Sequence, residues 1–293
     1  MKKVLLLLLG FLLLASGDTF AKSQKSSRRP PGPPPAKKEQ EIRREIDIPR
    51  GDVSSDRNLR RHVKHYSGDI WISGIPMYDQ GNRPECAIAV VRRLLDYYAS
   101  GNRVNMNALR QALGYDKRKG TDVWQMVAAI QKYSRQLHLN FQPIYDYMTT
   151  VQDIQEELKK YNRYASKNHA IDIPRDIRSV DGFSPFVKKI DFSAWSKMRT
   201  SEQRREQAQA WKQIVRQIDQ GIPVVWGVYL GLAREQGVRQ SNGGHLRLII
   251  GYNAAKGRII YSDSWGRGHE KKEMPWNAAW AITWNLFVLR PIN

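Results

Sequence analysis

Four side chains that together can transfer an acyl group stand along the chain in the order Gln80, Cys86, His245, Asp263. Cys86 is the one cysteine among 293 residues, so no internal disulfide and no multi-thiolate metal site can form. Taken alone, an unpaired thiol is a buried inert side chain, an intermolecular bridge or a reactive group. Burial is the commonest of these, and the position of Cys86 shifts the balance toward reactivity without deciding it. Cys86 follows the loop Gly74-Ile75-Pro76-Met77-Tyr78-Asp79-Gln80-Gly81-Asn82-Arg83-Pro84-Glu85 and opens a helical pattern. There the unpaired N–H groups and the helix dipole favour an anion and lower a thiol pKa. Gln80 lies six residues upstream, on a loop able to fold back toward the sulfur. With the backbone N–H of Cys86 its amide would give two donors for a developing oxyanion. His245 follows Gly243-Gly244 into a strand, where flexible glycines let its ring face a cleft. The other five histidines sit in polar contexts and read as surface residues. Asp263 ends the next strand, in Tyr261-Ser262-Asp263-Ser264-Trp265-Gly266. Adjacent antiparallel strands bring the end of one beside the start of the other, so Asp263 can accept from the His245 ring. Trp265 can then cover the pair and exclude water.

These residues need two kinds of scaffold. Residues 86–98 carry apolar positions every three or four, a helix closed by Gly101. Further helices are expected over 107–113 and from Thr121, as N-cap, through Trp124, Val127, Ile130 and Tyr133. Residues 150–210 read as a charged helical insertion, with pieces at 153–161 and 201–219 and Gly221 as a stop. The period then switches: 222–229, 246–252, 258–262 and 284–289 read as strands. The fold class is α+β, helices first and a mostly antiparallel sheet second.

Gln80, Cys86, His245 and Asp263-Ser264-Trp265-Gly266, in this order and spacing, resemble the papain-like cysteine peptidases, and within them the C39-like branch related to bacteriocin-leader peptidases. Asp219-Gln220-Gly221-Ile222-Pro223-Val224 and Gly244-His245 followed by Gly251-Tyr252 look like the same branch. The resemblance spans roughly residues 70–290. It implies a helical half and a sheet half with the active site in the cleft between them. It also implies Cys86 as nucleophile, His245 as base and then acid, Asp263 as its orienter and Gln80 as oxyanion donor. Trp265, Arg247 and Gly244 are the candidate substrate-binding residues. No cofactor is implied.

Two residues depart from that pattern. Arg247 stands where the family tends to place an apolar side chain, on the same strand face as His245. It either lines the cleft, where it can recognise a substrate carboxylate, or points outward as a solvated charge. Glu85 beside the thiol either raises its pKa or caps the helix with its charge turned to solvent.

The N-terminus reads as a secretory signal: Lys2 and Lys3, an apolar run over 4–15, then small residues that allow cleavage after Gly17 or Ala21. Twelve apolar residues make about 18 Å of helix, short of the roughly 30 Å hydrocarbon core. Residues 1–21 are therefore expected to be a removed signal peptide and 22–69 a disordered linker. That linker is basic and proline-rich, with a short helix near 39–46. Residues 70–293 are expected to form the peptidase domain.

The formal net charge of +20 suits an anionic envelope polymer or membrane surface through the basic tail. Export and scattered Lys/Arg argue against nucleic acid. There is no phosphate-binding Gly-rich loop and no His-Glu-x-x-His. The expected function is an exported cysteine peptidase acting on peptide or isopeptide bonds through a thioester. A cell-wall amidase or transpeptidase would use the same triad. A catalytically silent peptide-binding module, or a basic envelope protein with an incidental thiol, are the alternatives.

Overall fold

The computed structural model describes residues 36–49, 54, 56–99, 104–174, 176–178, 186–238 and 243–292. The signal segment, the polyproline run and Gly101 lie outside the described residues. From Lys37 onward the chain is one compact unit.

Helices dominate the first half because its apolar residues recur at helical spacing and polar side chains close the ends. α1 (Ala36–Glu45) and α2 (Asp56–Arg60) precede a hairpin of β1 (Val63–Tyr66) and β2 (Asp69–Ile72). Next come α3 (Cys86–Tyr98), α4 (Met106–Ala112), α5 (Val123–Lys132) and α6 (Ser134–Leu137). The Asn105 side chain caps α4 by accepting from the N–H groups of Asn107 and Ala108. Asp122, rather than the expected Thr121, caps α5. Its carboxylate accepts from two first-turn N–H groups, and an anion there is favoured further by the dipole.

After β3 (Leu139–Asp146) come α7 (Val151–Lys167), α8 (Phe192–Glu202) and α9 (Arg204–Ile218). Thr150 and Asp153 form a reciprocal capping box on α7. Gly221 stops α9 as expected: at φ +74° its N–H donates to the Ile218 carbonyl and the N–H of Ile222 to that of Gln217.

The second half supplies most of the sheet: β4 (Val224–Leu230), β5 (Gly243–Asn253), β6 (Arg258–Ser262), β7 (Lys272–Pro275) and β8 (Thr283–Pro291), with α10 (Trp276–Ile282) before the last strand. Strand order is β1-β2-β5-β4-β8-β3, with β6 paired to β5 and β7 to β6, and every pairing is antiparallel. The α+β class holds, with a helical first half and a sheet-rich second half. β1, β2 and β3 nevertheless come from the first half, so the sheet is not confined to the second.

One expectation about organisation changes. The linker over 22–69 gives way from residue 36 on: Ile42, Ile46, Ile48 and Leu59 are buried in the core and β2 pairs with β5. Sparse apolar residues in a charged stretch hid this, because four of them suffice to anchor it to the core. The charged helical insertion over 150–210 packs into the fold. Trp195 of α8 is buried and donates from its indole N–H to the Ala281 carbonyl. Arg199 is fully buried, donating to the Trp280 and Thr283 carbonyls with its guanidinium 3.5 Å from the Tyr147 ring centre. Among the described residues no helix is long and apolar enough to cross a membrane.

Candidate active site

Cys86 is the first residue of α3, partly buried at the helix N-terminus. Seven residues on, Arg93 lies on the same helical face and is almost wholly buried. Its guanidinium donates to the Pro76 carbonyl (2.8 Å), the Asp263 carbonyl (3.0 Å) and the Ser262 hydroxyl (2.5 Å). One side chain thus clamps the helix that carries the thiol to the strand end that carries the carboxylate. Burial lowers the Arg93 pKa to about 10, still protonated at neutral pH.

His245 lies on β5, paired with Val228 of β4. β6 pairs with β5 as far as Leu248–Ser262, which delivers Asp263 back toward His245. Nε2 of His245 and Oδ1 of Asp263 are 2.6 Å apart, both buried. That leaves Nδ1 as the ring nitrogen for the sulfur. The Trp265 ring stacks on the imidazole, centres 4.4 Å apart and planes within 1°. The edge of His269 meets the other ring at 5.8 Å, so His269 belongs to the site's wall rather than to open surface.

Burial pushes the Cys86 thiol up, but hydrogen bonding to His245, the charge of that ring and the N–H groups of Leu246 and Ala87 outweigh it. The thiol pKa is lowered. Burial alone would lower His245. The charge and hydrogen bond of Asp263, with the sulfur's contribution, instead raise it to about 9. Burial would raise Asp263, yet His245, Arg247 and the Ser264 N–H hold it down at about 2. Between those limits His245 is an imidazolium and Asp263 a carboxylate, a pairing that favours the thiolate form of Cys86.

Gln80 is buried on the loop before α3 and tied to the residue after Asp263. Its backbone N–H donates to the Ser264 carbonyl (2.9 Å), and its side-chain oxygen accepts from the Ser264 hydroxyl (2.5 Å). The side-chain nitrogen donates one hydrogen to the Arg83 carbonyl (2.9 Å) and carries a second. Gly266 permits this docking. At φ +74° it sits so close to Asp79 that a Cβ would stand 2.6 Å from the carboxylate oxygen. Gly244 is exposed at the start of β5, with open space where a side chain would be.

Both readings of Arg247 are corrected. Its side chain is fully buried, neither lining a cleft nor meeting solvent. Nε stands 2.6 Å from Oδ2 of Asp263, and Nη1 donates to both carboxylate oxygens of Glu235 (3.0 and 2.8 Å). Strand alternation correctly put it on the face of His245 but did not reveal that this face is covered there. Glu85 is corrected too. Although it is the N-cap residue, its side chain makes no capping bond and does not face solvent. It accepts from Arg110 (3.0 and 3.2 Å) and from the Tyr78 hydroxyl (3.1 Å), and Arg83 lies 3.4 Å away.

Residues 186–288 match the model of the Peptidase_C39 like family. Over that stretch the chain is similar to the C39-like family. The matched stretch holds His245 and Asp263 but begins well after Gln80 and Cys86. The helix and loop that carry Cys86 and Gln80 are tied to the matched stretch by the Arg93 and Gln80 contacts just described. No curated protein matches the chain.

Sequence reasoning missed Arg93, Arg110, Glu235 and Ser264. The spacing of seven from Cys86 was a usable signal for Arg93. Ser264 stood inside the quoted motif without a role. Glu235 and Arg110 carry no local sign of burial. A cavity of about 1080 Å³ opens elsewhere; Glu235 and Tyr261 are in its wall, and none of Gln80, Cys86, His245 or Asp263 is. No group of three or more His, Cys, Asp or Glu suited to a metal ion occurs among the described residues.

Proposed function

We propose that this protein is an exported cysteine peptidase that cleaves peptide or isopeptide bonds through a thioester on Cys86. One observation carries the reading: the chain's only cysteine lies at a helix N-terminus, and its thiol pKa is lowered by His245, an imidazole whose ring nitrogen Nε2 is held by a buried carboxylate. That is the arrangement that makes a thiol a nucleophile near neutral pH. The C39-like match over the imidazole-bearing half supports it. Glu85 and Arg247, the features that favoured a silent binding module, are each paired with an opposite charge.

The thiolate sulfur attacks the scissile carbonyl carbon, and the carbonyl oxygen takes up the electron pair. The backbone N–H of Cys86 and the second amide hydrogen of Gln80 donate to that oxyanion. The tetrahedral species collapses as the imidazolium of His245 protonates the departing amine, leaving a thioester. Neutral His245 then takes a proton from water, whose oxygen attacks the thioester, and thiol and imidazole return to the ion pair as the acid leaves. Asp263 holds the ring in place throughout, and Trp265 keeps water off one face of it.

The N-terminal signal directs the chain out of the cytoplasm, and the basic segment after it adheres to anionic envelope material. The test is turnover of a peptide and isopeptide library by the mature protein beside Cys86→Ala. The expected result is cleavage that falls by more than about 10³-fold in the variant, with fold and peptide binding retained. Cleavage that persists without the thiol, or peptide binding with no turnover in the parent, would overturn the reading.

A further inference from the structure

The reading above leaves two buried charges without a task. Arg247 has no exposed surface, and the Glu235 carboxylate behind it is almost as deeply placed. Burying such a pair is costly, and apolar side chains of similar size commonly give equal or better stability. The C39-like resemblance itself leads one to expect an apolar residue at 247.

The geometry shows what the pair touches. Asp263 has two carboxylate oxygens. Oδ1 takes the His245 ring and the Ser264 N–H, at 2.6 and 2.8 Å. Oδ2 forms an ion pair with Nε of Arg247 at 2.6 Å, a contact whose angle is not that of a hydrogen bond, so charge rather than a directed bond holds it. Arg247 is in turn held by both oxygens of Glu235, and Glu235 accepts from the Tyr261 hydroxyl at 2.7 Å. The guanidinium is sandwiched near the Trp226 and Tyr261 rings, 5.6 and 5.0 Å from their centres. Outward from the thiolate, charges alternate: imidazolium, carboxylate, guanidinium, carboxylate.

We infer that Arg247, with Glu235 behind it, is a positioning residue of the thiol–imidazole pair: it pins the second oxygen of Asp263 so that the first stays on the imidazole. A carboxylate anchored at one oxygen can swing about its terminal torsion, which is broad. One anchored at both cannot. The guanidinium also keeps that carboxylate ionised. Its own charge opposes the imidazolium, but Asp263 stands between the two and Glu235 offsets it. The gain is in orientation and acid tolerance rather than basicity.

This inference rests on Cys86 and His245 being the reacting pair, so the test reads that first. Cys86 alkylation and peptide turnover are followed against pH in the parent, in Arg247→Met/Glu235→Gln, which removes both charges together, and in Arg247→Lys. The double variant is expected to lose about 10- to 100-fold in kcat with KM unchanged. The acid limb of its alkylation should move up by about one pH unit, roughly tenfold slower reaction on that limb. Arg247→Lys keeps the charge but not the planar fork. It should restore the acid limb while leaving kcat low. A double variant with parental kcat and acid limb would overturn the inference, as would a loss that tracks unfolded fraction with superimposable pH profiles. A parent whose thiol shows no low-pH reactivity would sink the underlying reading instead.

Discussion

The carboxylate nearest the thiol and the carboxylate nearest the imidazole are both buried, and the two halves of the molecule treat them oppositely. In the helical half Glu85, directly before Cys86, is surrounded by its own partners: the cations Arg110 from α4 and Arg83 from the preceding loop, and the donating Tyr78 hydroxyl. Burial would raise its pKa, but these partners lower it. Its charge is neutralised locally and does not weigh on the sulfur. In the sheet half Asp263 gives one oxygen to Arg247 and keeps the other for His245. A buried carboxylate thus says little about role. What decides is whether an oxygen is left over for the reacting group.

That contrast is broken most severely from the sheet side. Asp263→Asn keeps the shape but removes the charge that holds the imidazolium, so kcat/KM should fall by about 10³-fold or more, with the protein still folded by circular dichroism. A loss under tenfold would mean the carboxylate is structural. From the helical side the effect is smaller. Arg110→Met strips Glu85 of its closest cation and leaves it with Arg83 and the Tyr78 hydroxyl. The thiol pKa should rise by about one unit, slowing Cys86 alkylation at pH 6 by about tenfold. Partial exposure of Arg110 limits the cost in denaturant unfolding to about 1–2 kcal/mol. Unchanged thiol reactivity would show that Glu85 is electrostatically silent even without Arg110.

Much of this pairing was legible in the letters and some was not. The order Gln80, Cys86, His245, Asp263, the helix at 86–98 and the strands around 246–252 and 258–262 came from residue type and period alone. β1 and β7 went unread because strands of four residues rich in Lys, His and Glu show no apolar alternation. α8 hid its Trp195 and Met198 among charged neighbours. The hardest to see were the buried arginines 93, 199 and 247. An arginine in a helix or strand reads as solvated until its partners, distant in sequence, are known. Both corrections at the site, Arg247 and Glu85, came from that blindness.

Trp265→Leu should have a milder effect. Removing a ring stacked flat on the imidazole loosens one face of His245 without touching its carboxylate. About 0.5–1.5 kcal/mol of aromatic contact corresponds to a loss of roughly two- to thirteenfold in kcat, with the pH profile not displaced. Smallest is the effect on stability against pH. His245 is raised from 6.5 to about 9 in the fold, so the stability its protonation adds is fully present below about 6.5 and is lost as pH rises through 9. Asp263 runs the other way, losing its share as pH falls through about 2. Thermal melts from pH 6 to 10 should therefore show a decline in the parent that His245→Gln flattens.

The most direct test of the central claim is the pH dependence of Cys86 alkylation in the mature protein beside His245→Ala. The account predicts fast reaction at about pH 5, well below the ordinary thiol value near 8.5, and loss of that reactivity in the variant. A midpoint at or above about 8.5 in both proteins would contradict it: the thiol and imidazole would then be neighbours without being an ion pair.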